Sequence, residues 1–476
     1  MGTGKQRFAW VRGCCCVLLV SALVVCAEST AWGQGAAAAA ANAAAAANLA
    51  AQGQANLLGN RVGGISIRPD GLIDNVGLDG EGKLSQMRRR LLHKAPSDLN
   101  QAAPLRKVSL RGLEQALETA LKTGKPVPEE VLFLGGLQGI RYVFAYPERQ
   151  DIVLVGPADG WIVDARGNVI GPTTGQPVLL LDDLLVALRT AGSSARGGIT
   201  CSIDPTAEGL RQLRSHVSTL KTIGDPESTA AGIEQALGRQ QITFTGVPAT
   251  SHFAAVLIAA DYRMKRLAMN FEPSKIRGLP SFLSMIPAGG RGMSNLMQRW
   301  WLEPKYDALL RDETGLAWEL GGASVKCMTE EQFIAASGGV DPKGKPNAVA
   351  QRWSDNMTAH YGELALAEPV FGELRNCMEL ALAAAIIVHQ DMAAKAGCSL
   401  PVLLDAAALK TVELPAPTGV DSKVSMLKKG HNWVLSASGG VAIRPAESLA
   451  AAQKSDAPAV ARDKIQPTDK SKWCWN

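Results

Sequence analysis

Residues 380–388 have the sequence LALAAAIIV, in which every position is apolar. A helix that is apolar on all faces must be surrounded by other elements of the fold. These nine residues are too few to cross a bilayer, because a membrane-spanning helix needs about 20. The stretch therefore predicts a buried central helix, around which the rest of the chain can be interpreted.

The sequence on either side extends this helix and gives it a neighbour. Residues 348–366 and 370–396 both have apolar side chains at helical spacing, and Pro369 separates them. Because Pro ends one helix and is tolerated in the first turn of the next, the pattern predicts a helical hairpin. Short strands of antiparallel meanders are predicted around it, at residues 300–302, 308–311, 316–320, 325–328, 424–427, 432–435 and 441–443. Residues 291–445 are thus predicted to form one region.

A region that combines a helix with short strands is also predicted over residues 63–192. Ser109 precedes an amphipathic helix that Gly124 and Pro126 end, as expected of a Ser N-cap and a Gly C-cap. Short apolar stretches between turn residues predict strands, at 65–67, 72–73, 140–146, 152–155, 161–163 and 169–170. We expect an antiparallel meander here, closed by a helix over residues 180–191.

Residues 193–290 alternate between helix and strand patterns. Asp204-Pro205 and Asp225-Pro226 each place an Asp N-cap before a Pro, which predicts two helix starts. Strands are predicted at residues 199–203, 242–247 and 266–271, with a helix between the last two. Together the three regions predict an α+β fold in which short antiparallel meanders are mixed with helices.

The amino terminus has the pattern of a secretory signal peptide. Lys5, Arg7 and Arg12 precede an uncharged apolar stretch over residues 13–27, which is too short for an ordinary membrane span. Cleavage after Ala31 or Gly33 satisfies the preference for small residues, so residues 1–33 are predicted to be removed. The protein is then exported, to the periplasm or the medium, and keeps no membrane span.

Two other outcomes at this terminus remain open. The apolar segment can stay attached as an uncleaved anchor. A lipid anchor at Cys26 is the second alternative, although Val25 stands where such a site needs a small residue.

Low-complexity sequence borders the predicted fold on both sides. Residues 34–62 are mostly Ala, Gln, Asn and Gly and predict a spacer without a packed core. Residues 446–476 mix Ala, Asp, Lys and Pro without apolar periodicity, so a disordered polar tail is predicted. The tail ends in the cluster Trp473-Cys474-Trp475-Asn476.

The net charge and the number of cysteines argue against two classes of protein, nucleic-acid binders and disulfide scaffolds. The formal net charge of +5 provides no strong basic field, so nucleic acid is not expected as a partner. Removal of residues 1–33 leaves five cysteines, which is too few for a disulfide scaffold. They are either buried thiols or include one bridge, with Cys377–Cys398 as the most plausible pair. The five are Cys201, Cys327, Cys377, Cys398 and Cys474.

Motif matches supply no cofactor site. Residues 339–346 follow the spacing of a phosphate-binding loop, but Pro346 replaces the Ser or Thr that would hold magnesium. Two pairs are the only metal candidates: His360 with Glu363, and His389 with Asp391. A carboxylate and a His three residues apart occur in metal sites of helical bundles, yet His389 and Asp391 do not share a helix face. No cofactor is therefore predicted, and the catalytic residues remain unassigned.

Several segments resemble one family. The stretch from Val247-Pro248-Ala249 to Lys265, Trp318-Glu319-Leu320, and the segment from Pro369 to Asn376 are similar to exported planctomycete proteins known as domain of unknown function 1598. The resemblance extends over residues 65 to 440. It implies an exported protein with no assigned activity, and it transfers no catalytic residue.

The function predicted from the sequence is that of a non-catalytic binding or structural module of the cell envelope. Its partner is an envelope or extracellular protein or ligand that the sequence does not identify. The alternative is an exported hydrolase or metal-dependent enzyme with a site assembled from dispersed residues. That alternative is favoured if three or more of six side chains converge in one cleft: His252, Asp261, His360, Glu363, His389 and Asp391.

Overall fold

The computed structural model describes the chain in twelve ranges. These are residues 61–75, 95–164, 167–194, 197–220, 225–287, 296–306, 308–322, 324–334, 340–342, 348–425, 437–465 and 472–476. The predicted signal peptide, residues 34–60 of the spacer and most of the phosphate-loop match lie outside the described residues. Within these ranges no helix combines the length and the apolar character needed to cross a membrane.

The predicted α+β class is confirmed, and the strands form two large and two small sheets within the described ranges. The strands are β1 (Arg61–Val62), β2 (Ile65–Ile67), β3 (Ile73–Asn75), β4 (Ala103–Ser109), β5 (Tyr142–Tyr146), β6 (Asp151–Ala158), β7 (Ile162–Val163), β8 (Val169–Ile170), β9 (Ile199–Pro205), β10 (Arg239–Thr245), β11 (Leu296–Lys305), β12 (Ala308–Arg311), β13 (Ala317–Gly321), β14 (Ser324–Ile334), β15 (Val340–Pro342), β16 (Gly419–Asp421), β17 (Ala437–Ile443), β18 (Gln453–Lys454) and β19 (Cys474–Trp475).

Helices lie between these strands along most of the chain. They are α1 (Leu110–Thr123), α2 (Glu129–Leu132), α3 (Leu181–Ser194), α4 (Ala207–Thr219), α5 (Pro226–Leu237), α6 (His252–Ala268), α7 (Phe282–Met285), α8 (Ala348–Ala359), α9 (Tyr361–Ala367), α10 (Pro369–His389), α11 (Met392–Ala396), α12 (Pro401–Leu404), α13 (Pro445–Ala450) and α14 (Ala457–Lys464).

The two large sheets mix strands that are distant in sequence. One has the order β15-β14-β11-β17-β9-β10-β16, and the other has the order β18-β12-β13-β5-β6-β4-β19. Their neighbouring strands are antiparallel, apart from the pairs β11 with β17 and β12 with β18. Each large sheet therefore joins strands from at least two of the three regions predicted from the sequence.

Helix α10 is the buried central helix that the sequence predicts. Leu380 and Ile386 are inaccessible to solvent, and Ile387 is 3% exposed. Its most extensive contact is with α3, and it also packs against α6 and α9. The hairpin partner is shorter than predicted, because the helix breaks at His360 into α8 and α9.

Local capping signals place several helix ends correctly. The Ser109 side chain accepts a hydrogen bond from the Gly112 amide, and Gly124 ends α1 in the left-handed region. Asp225 caps α5, with Pro226 at its first position. The start predicted at Asp204-Pro205 is wrong by two residues, because both of these residues pair with β10 as the end of strand β9.

The strand predicted at residues 266–271 is wrong. Helix α6 continues to Ala268, and the charged residues Lys265 and Arg266 lie in its last turn. Arg266 donates to Glu272 over 2.6 Å and its guanidinium lies over the Tyr262 ring, one helical turn back. Packing of Arg266 along the helix surface thus allows the helix to extend through the polar sequence.

The prediction of a disordered tail over residues 446–476 is corrected for the part that the structure describes. Helices α13 and α14 and strands β18 and β19 all lie in this segment. The Tyr146 hydroxyl donates to the backbone carbonyls of Arg462 and Ile465, at 3.0 and 3.1 Å. The tail lacks a periodic apolar face of its own, but it fills positions on a sheet built by the rest of the chain.

Candidate functional site

The four metal candidates from the sequence occupy separate places. His360 Nδ1 lies 3.2 Å from Glu363 Oε1, next to the break between α8 and α9. His389, at the end of α10, has its Nε2 3.0 Å from the Ala191 carbonyl oxygen. Asp391 is exposed just beyond that helix. Across the described residues, no three His, Cys, Asp or Glu side chains are grouped closely enough to hold a metal ion.

A buried acid–base cluster lies where α3, α6 and α10 meet. His252 is the first residue of α6, and its Nδ1 lies 3.0 Å from both carboxylate oxygens of Asp183 on α3. Glu373 and Asn376 of α10 join them around a cavity of about 10 Å³. Glu373 Oε2 and Asn376 Oδ1 are buried without a hydrogen-bond partner in the described structure.

The electrostatics of this cluster favour an imidazolium rather than a general base. Burial lowers the pKa of His252, but the carboxylates of Asp183, Glu373 and Asp182 outweigh burial and raise it to about 9. Burial raises the pKa of Glu373 to about 7. A protonated imidazole has no free lone pair, so it cannot accept a proton from a substrate. The cavity has room for about one water molecule.

A second buried pair joins α6 to the sheet behind it. Lys265 Nζ donates to Asp261 Oδ2 at 2.8 Å, to the Ile203 carbonyl at 3.1 Å and to the Gly439 carbonyl at 3.3 Å. These bonds use all three N–H groups of the ammonium. Burial raises the pKa of Asp261 to about 6, although the charge of Lys265 opposes the shift. The pair thus ties the helix to β9 and β17, and Asp261 Oδ1 is buried without a hydrogen-bond partner in the described structure.

A much larger cavity than the one beside His252 is a groove at the other large sheet. Its volume is about 730 Å³, within the range of about 300–1,000 Å³ typical of ligand pockets. It runs between α1, the turn Pro147–Arg149 and the carboxyl-terminal segment. The side chains and backbone that line it belong to Ser109, Arg111, Gly112, Gln115, Ala116, Thr119, Pro128, Pro147, Glu148, Arg149, Gln150, Asp151, Lys472, Trp473 and Trp475.

The floor of this groove is set by the start of α1. Ser109 Oγ donates to Asp151 Oδ2 at 2.7 Å and accepts from the Gly112 amide, while Asp151 Oδ1 accepts from the Arg111 amide at 3.1 Å. Burial raises the pKa of Asp151, against these hydrogen bonds that favour its charged form. Because its oxygens are already bonded, Asp151 is part of the scaffold and is not a free acid in the groove.

One wall of the groove is made by the last residues of the chain. Strand β19 pairs with β4, and the Ser109 amide donates to the Trp473 carbonyl at 2.8 Å. Any side chain at Gly112 would clash with Trp473, so this close approach requires glycine. Trp473 and Trp475 are half-buried and contribute to the lining. The groove therefore has two indole side chains at its edge.

Some charged side chains that line the groove have an ion-pair partner, and others have none among the described residues. Glu148 lies 3.6 Å from Arg462, and Lys472 lies 3.6 Å from Asp98. Arg111 and Arg149 are half-buried, and the guanidinium of neither forms an ion pair with any described residue. Both arginines line the groove, and the charge of Arg111 also acts on Asp151, where it opposes the rise in pKa that burial causes.

Sequence comparison finds a family match for one part of the chain. Residues 201–282 match DUF1598, a protein family of unknown function. The match confirms the resemblance for these residues. The same comparisons found no match among curated proteins or solved structures.

The DUF1598 match begins at the third residue of β9, covers α4, α5, β10 and α6, and ends at the first residue of α7. It therefore includes His252, Asp261 and Lys265, whose contacts are structural. The groove lies outside the DUF1598 segment, so the family match carries no information about its ligand.

Sequence reasoning identified the cluster at residues 473–476 but not its role. Nothing in the sequence marks Arg111 and Arg149 as binding residues, because isolated arginines in polar sequence are common. The groove exists only because strand pairing brings residues 109–119 beside residues 472–475.

Proposed function

We propose that this protein is an exported, non-catalytic binding module of the cell envelope, and that the groove beside β19 is its ligand site. One observation carries the proposal: a cavity of about 730 Å³ presents two half-buried tryptophans and two arginines that have no ion-pair partner among the described residues. Cavities of this size with a few polar groups beside aromatic side chains are typical of ligand sites. The signal-peptide pattern at residues 1–33 supports export.

The state of the buried ionisable groups supports a role without catalysis. A catalytic acid or base has to reach a substrate, directly or through one water. His252 and Glu373 face a cavity that takes about one water molecule, and the ammonium of Lys265 is saturated by its three acceptors. These groups stabilise the packing of α3, α6 and α10, while the open groove contains no paired acid and base in contact.

Co-sedimentation tests the proposal. The full protein, purified from the exported fraction, is mixed with insoluble envelope material from the organism that produces it. We expect the protein to sediment with this material, and the double variant Arg111→Ala/Arg149→Ala to remain mostly in the supernatant. Removing two charged contacts of about 1.5–3 kcal/mol each weakens binding by more than tenfold.

A matched control uses arginines outside the groove. Arg239 and Arg277 are exposed and do not line it, so Arg239→Ala/Arg277→Ala should sediment like the unmodified protein. Equal sedimentation of both double variants would show that the groove is not the binding site. Failure of the unmodified protein to sediment would overturn envelope binding itself.

A further inference from the structure

The lining of the groove also indicates the chemical class of its ligand. We infer that the groove binds a saccharide chain that carries carboxylate groups, and this inference rests on the function proposed above. Three properties of the groove support it: its unpaired cations, its indole rings and its neutral polar side chains.

The cations select for negative charge. Arg111 and Arg149 lie in one groove, and the nearby acids are already engaged: Asp151 with Ser109 and the Arg111 amide, Glu148 with Arg462. An arginine binds a carboxylate through two parallel N–H donors, which gives a planar and directional contact. A ligand with carboxylates spaced along it would satisfy both guanidinium groups.

The two tryptophans favour a ligand with flat, partly apolar faces. Trp473 and Trp475 lie one residue apart on either side of buried Cys474. Trp473 packs against the core cluster that includes Cys474, Trp475 packs against the separate cluster that includes Tyr146, and both line the groove. An indole offers a broad apolar surface together with an N–H donor. The C–H face of a sugar ring fits such a surface, while the hydroxyls at the ring edge remain free to hydrogen-bond.

Neutral polar side chains complete the lining. Gln115, Thr119 and Gln150 are exposed to the groove and supply both donors and acceptors. Hydroxyl groups of a saccharide also donate and accept, so they match this mixed set. An acidic peptide would instead use backbone pairing to a sheet edge. The edge beside the groove is β19, whose two residues give little room for an added strand.

Calorimetric titration with defined polymers tests the inference. The full protein is titrated with polygalacturonate, with fully methyl-esterified polygalacturonate and with polyglutamate. We expect polygalacturonate to bind at least about tenfold more tightly than the other two, since the ester lacks the charge and polyglutamate lacks the sugar ring. Raising NaCl from about 0.05 to about 0.5 M should weaken the binding, because exposed charges are screened.

Variants separate the contributions of charge and geometry. Arg149→Ala should weaken polygalacturonate binding about tenfold, and Arg149→Lys should recover only part of it, because Lys lacks the two-donor fork. Arg277→Ala should leave binding unchanged. An unchanged thermal midpoint for Arg149→Ala, which is half-buried and unpaired among the described residues, shows that the loss does not come from unfolding.

The outcomes distinguish this inference from the proposed function. Equal binding of polyglutamate and polygalacturonate would overturn the saccharide class and indicate an acidic peptide. Equal binding of the ester would overturn the requirement for charge. Binding to the envelope through the groove without binding to any of the three polymers would overturn the ligand class and leave the proposed function standing. If the protein bound neither the envelope material nor any of the polymers, both the ligand class and the proposed function would be overturned.

Discussion

Arg106 Nε donates a hydrogen bond to Asn476 Oδ1 over 2.6 Å, although 370 residues separate the two in sequence. The Arg106 residue is fully buried, and its other donors bond to backbone carbonyl groups of Leu99, Gln101, Gly135 and Asp159. The last residue of the chain thus completes the hydrogen bonding of a buried guanidinium. The anchored tail in turn holds the tryptophan wall of the groove.

The first prediction concerns this anchor. Asn476→Ala leaves Arg106 Nε without its partner, so we expect the free energy of unfolding to fall by about 1–3 kcal/mol. Binding in the groove should weaken as well, because Trp473 and Trp475 belong to the same anchored segment. Urea unfolding measures the first effect and calorimetry the second. Lys464→Ala, at an exposed position of α14, is the control and should change neither.

Substitution in the central helix tests its role in the core. Ile387 is 3% exposed on α10, and Ile387→Ala removes buried methylene and methyl groups. We expect a loss of about 2–5 kcal/mol in the free energy of unfolding, measured with urea. The control is Val460→Ala, since Val460 is 50% exposed and should contribute little. Equal midpoints for the two variants would show that α10 is not the core.

The buried acid–base cluster makes stability depend on pH. The pKa of His252 is about 9 in the folded protein, above the ordinary value of about 6.5, so its stabilisation is present below about pH 6.5 and is lost as pH rises through 9. Glu373 and Asp182 have pKa values of about 7, above about 4 in the unfolded chain. The folded state therefore holds more protons than the unfolded state between about pH 4 and 9, and stability falls as pH rises.

Unfolding measured at two pH values checks this direction. We expect the free energy of unfolding to be lower at about pH 8.5 than at about pH 5.5, with His252 alone contributing about 2–3 kcal/mol of the difference. Glu373→Gln cannot ionise and should reduce that difference, while Glu363→Gln, at an exposed site on α9, should not. A stability that rises between these pH values would contradict the electrostatics described for His252.

The cysteines give a prediction about oxidation state. All five described cysteines are free and buried, including Cys377 and Cys398, which the sequence suggested as a pair. Burial raises the pKa of the Cys327 thiol to about 12, so little reactive thiolate forms. We expect the processed protein to react with a thiol reagent at five positions after unfolding without reductant, and hardly at all when folded. Three reactive positions after unfolding would indicate one disulfide.

Amino-terminal sequencing tests export and cleavage. The charged start and the apolar residues 13–27 predict that the mature protein begins at Trp32 or Gln34. The measurement is made on protein recovered from the periplasm or the medium. A start at Met1 or Gly2 for most of the protein would show that the segment is retained.

Local signals account for the parts of the fold that the sequence predicts well. The apolar stretch at 380–388 requires burial wherever the chain places it, and Ser109 and Asp225 each accept from an amide three residues away. Such interactions are contained within one element. They hold regardless of how the rest of the chain is arranged.

Strand partners and the site depend on contacts that a short sequence window does not contain. The pairing of β11 with β17 joins residues about 140 positions apart, and no local pattern encodes it. Asp183 and His252 are likewise far apart in sequence, so their contact follows only from the packing of α3 against α6. The tail was predicted to be disordered because its ordered state depends on a sheet edge formed by residues 103–109.

Because Val108 pairs with Cys474, the groove cannot form until both β4 and β19 have been synthesised. Chains are made from the amino terminus, so β19 is synthesised long after β4, the strand with which it pairs. A nascent chain can form α1 early, but it has no tryptophan wall until residues 473–475 have been added. The proposed binding surface is therefore absent from every chain that stops before these residues.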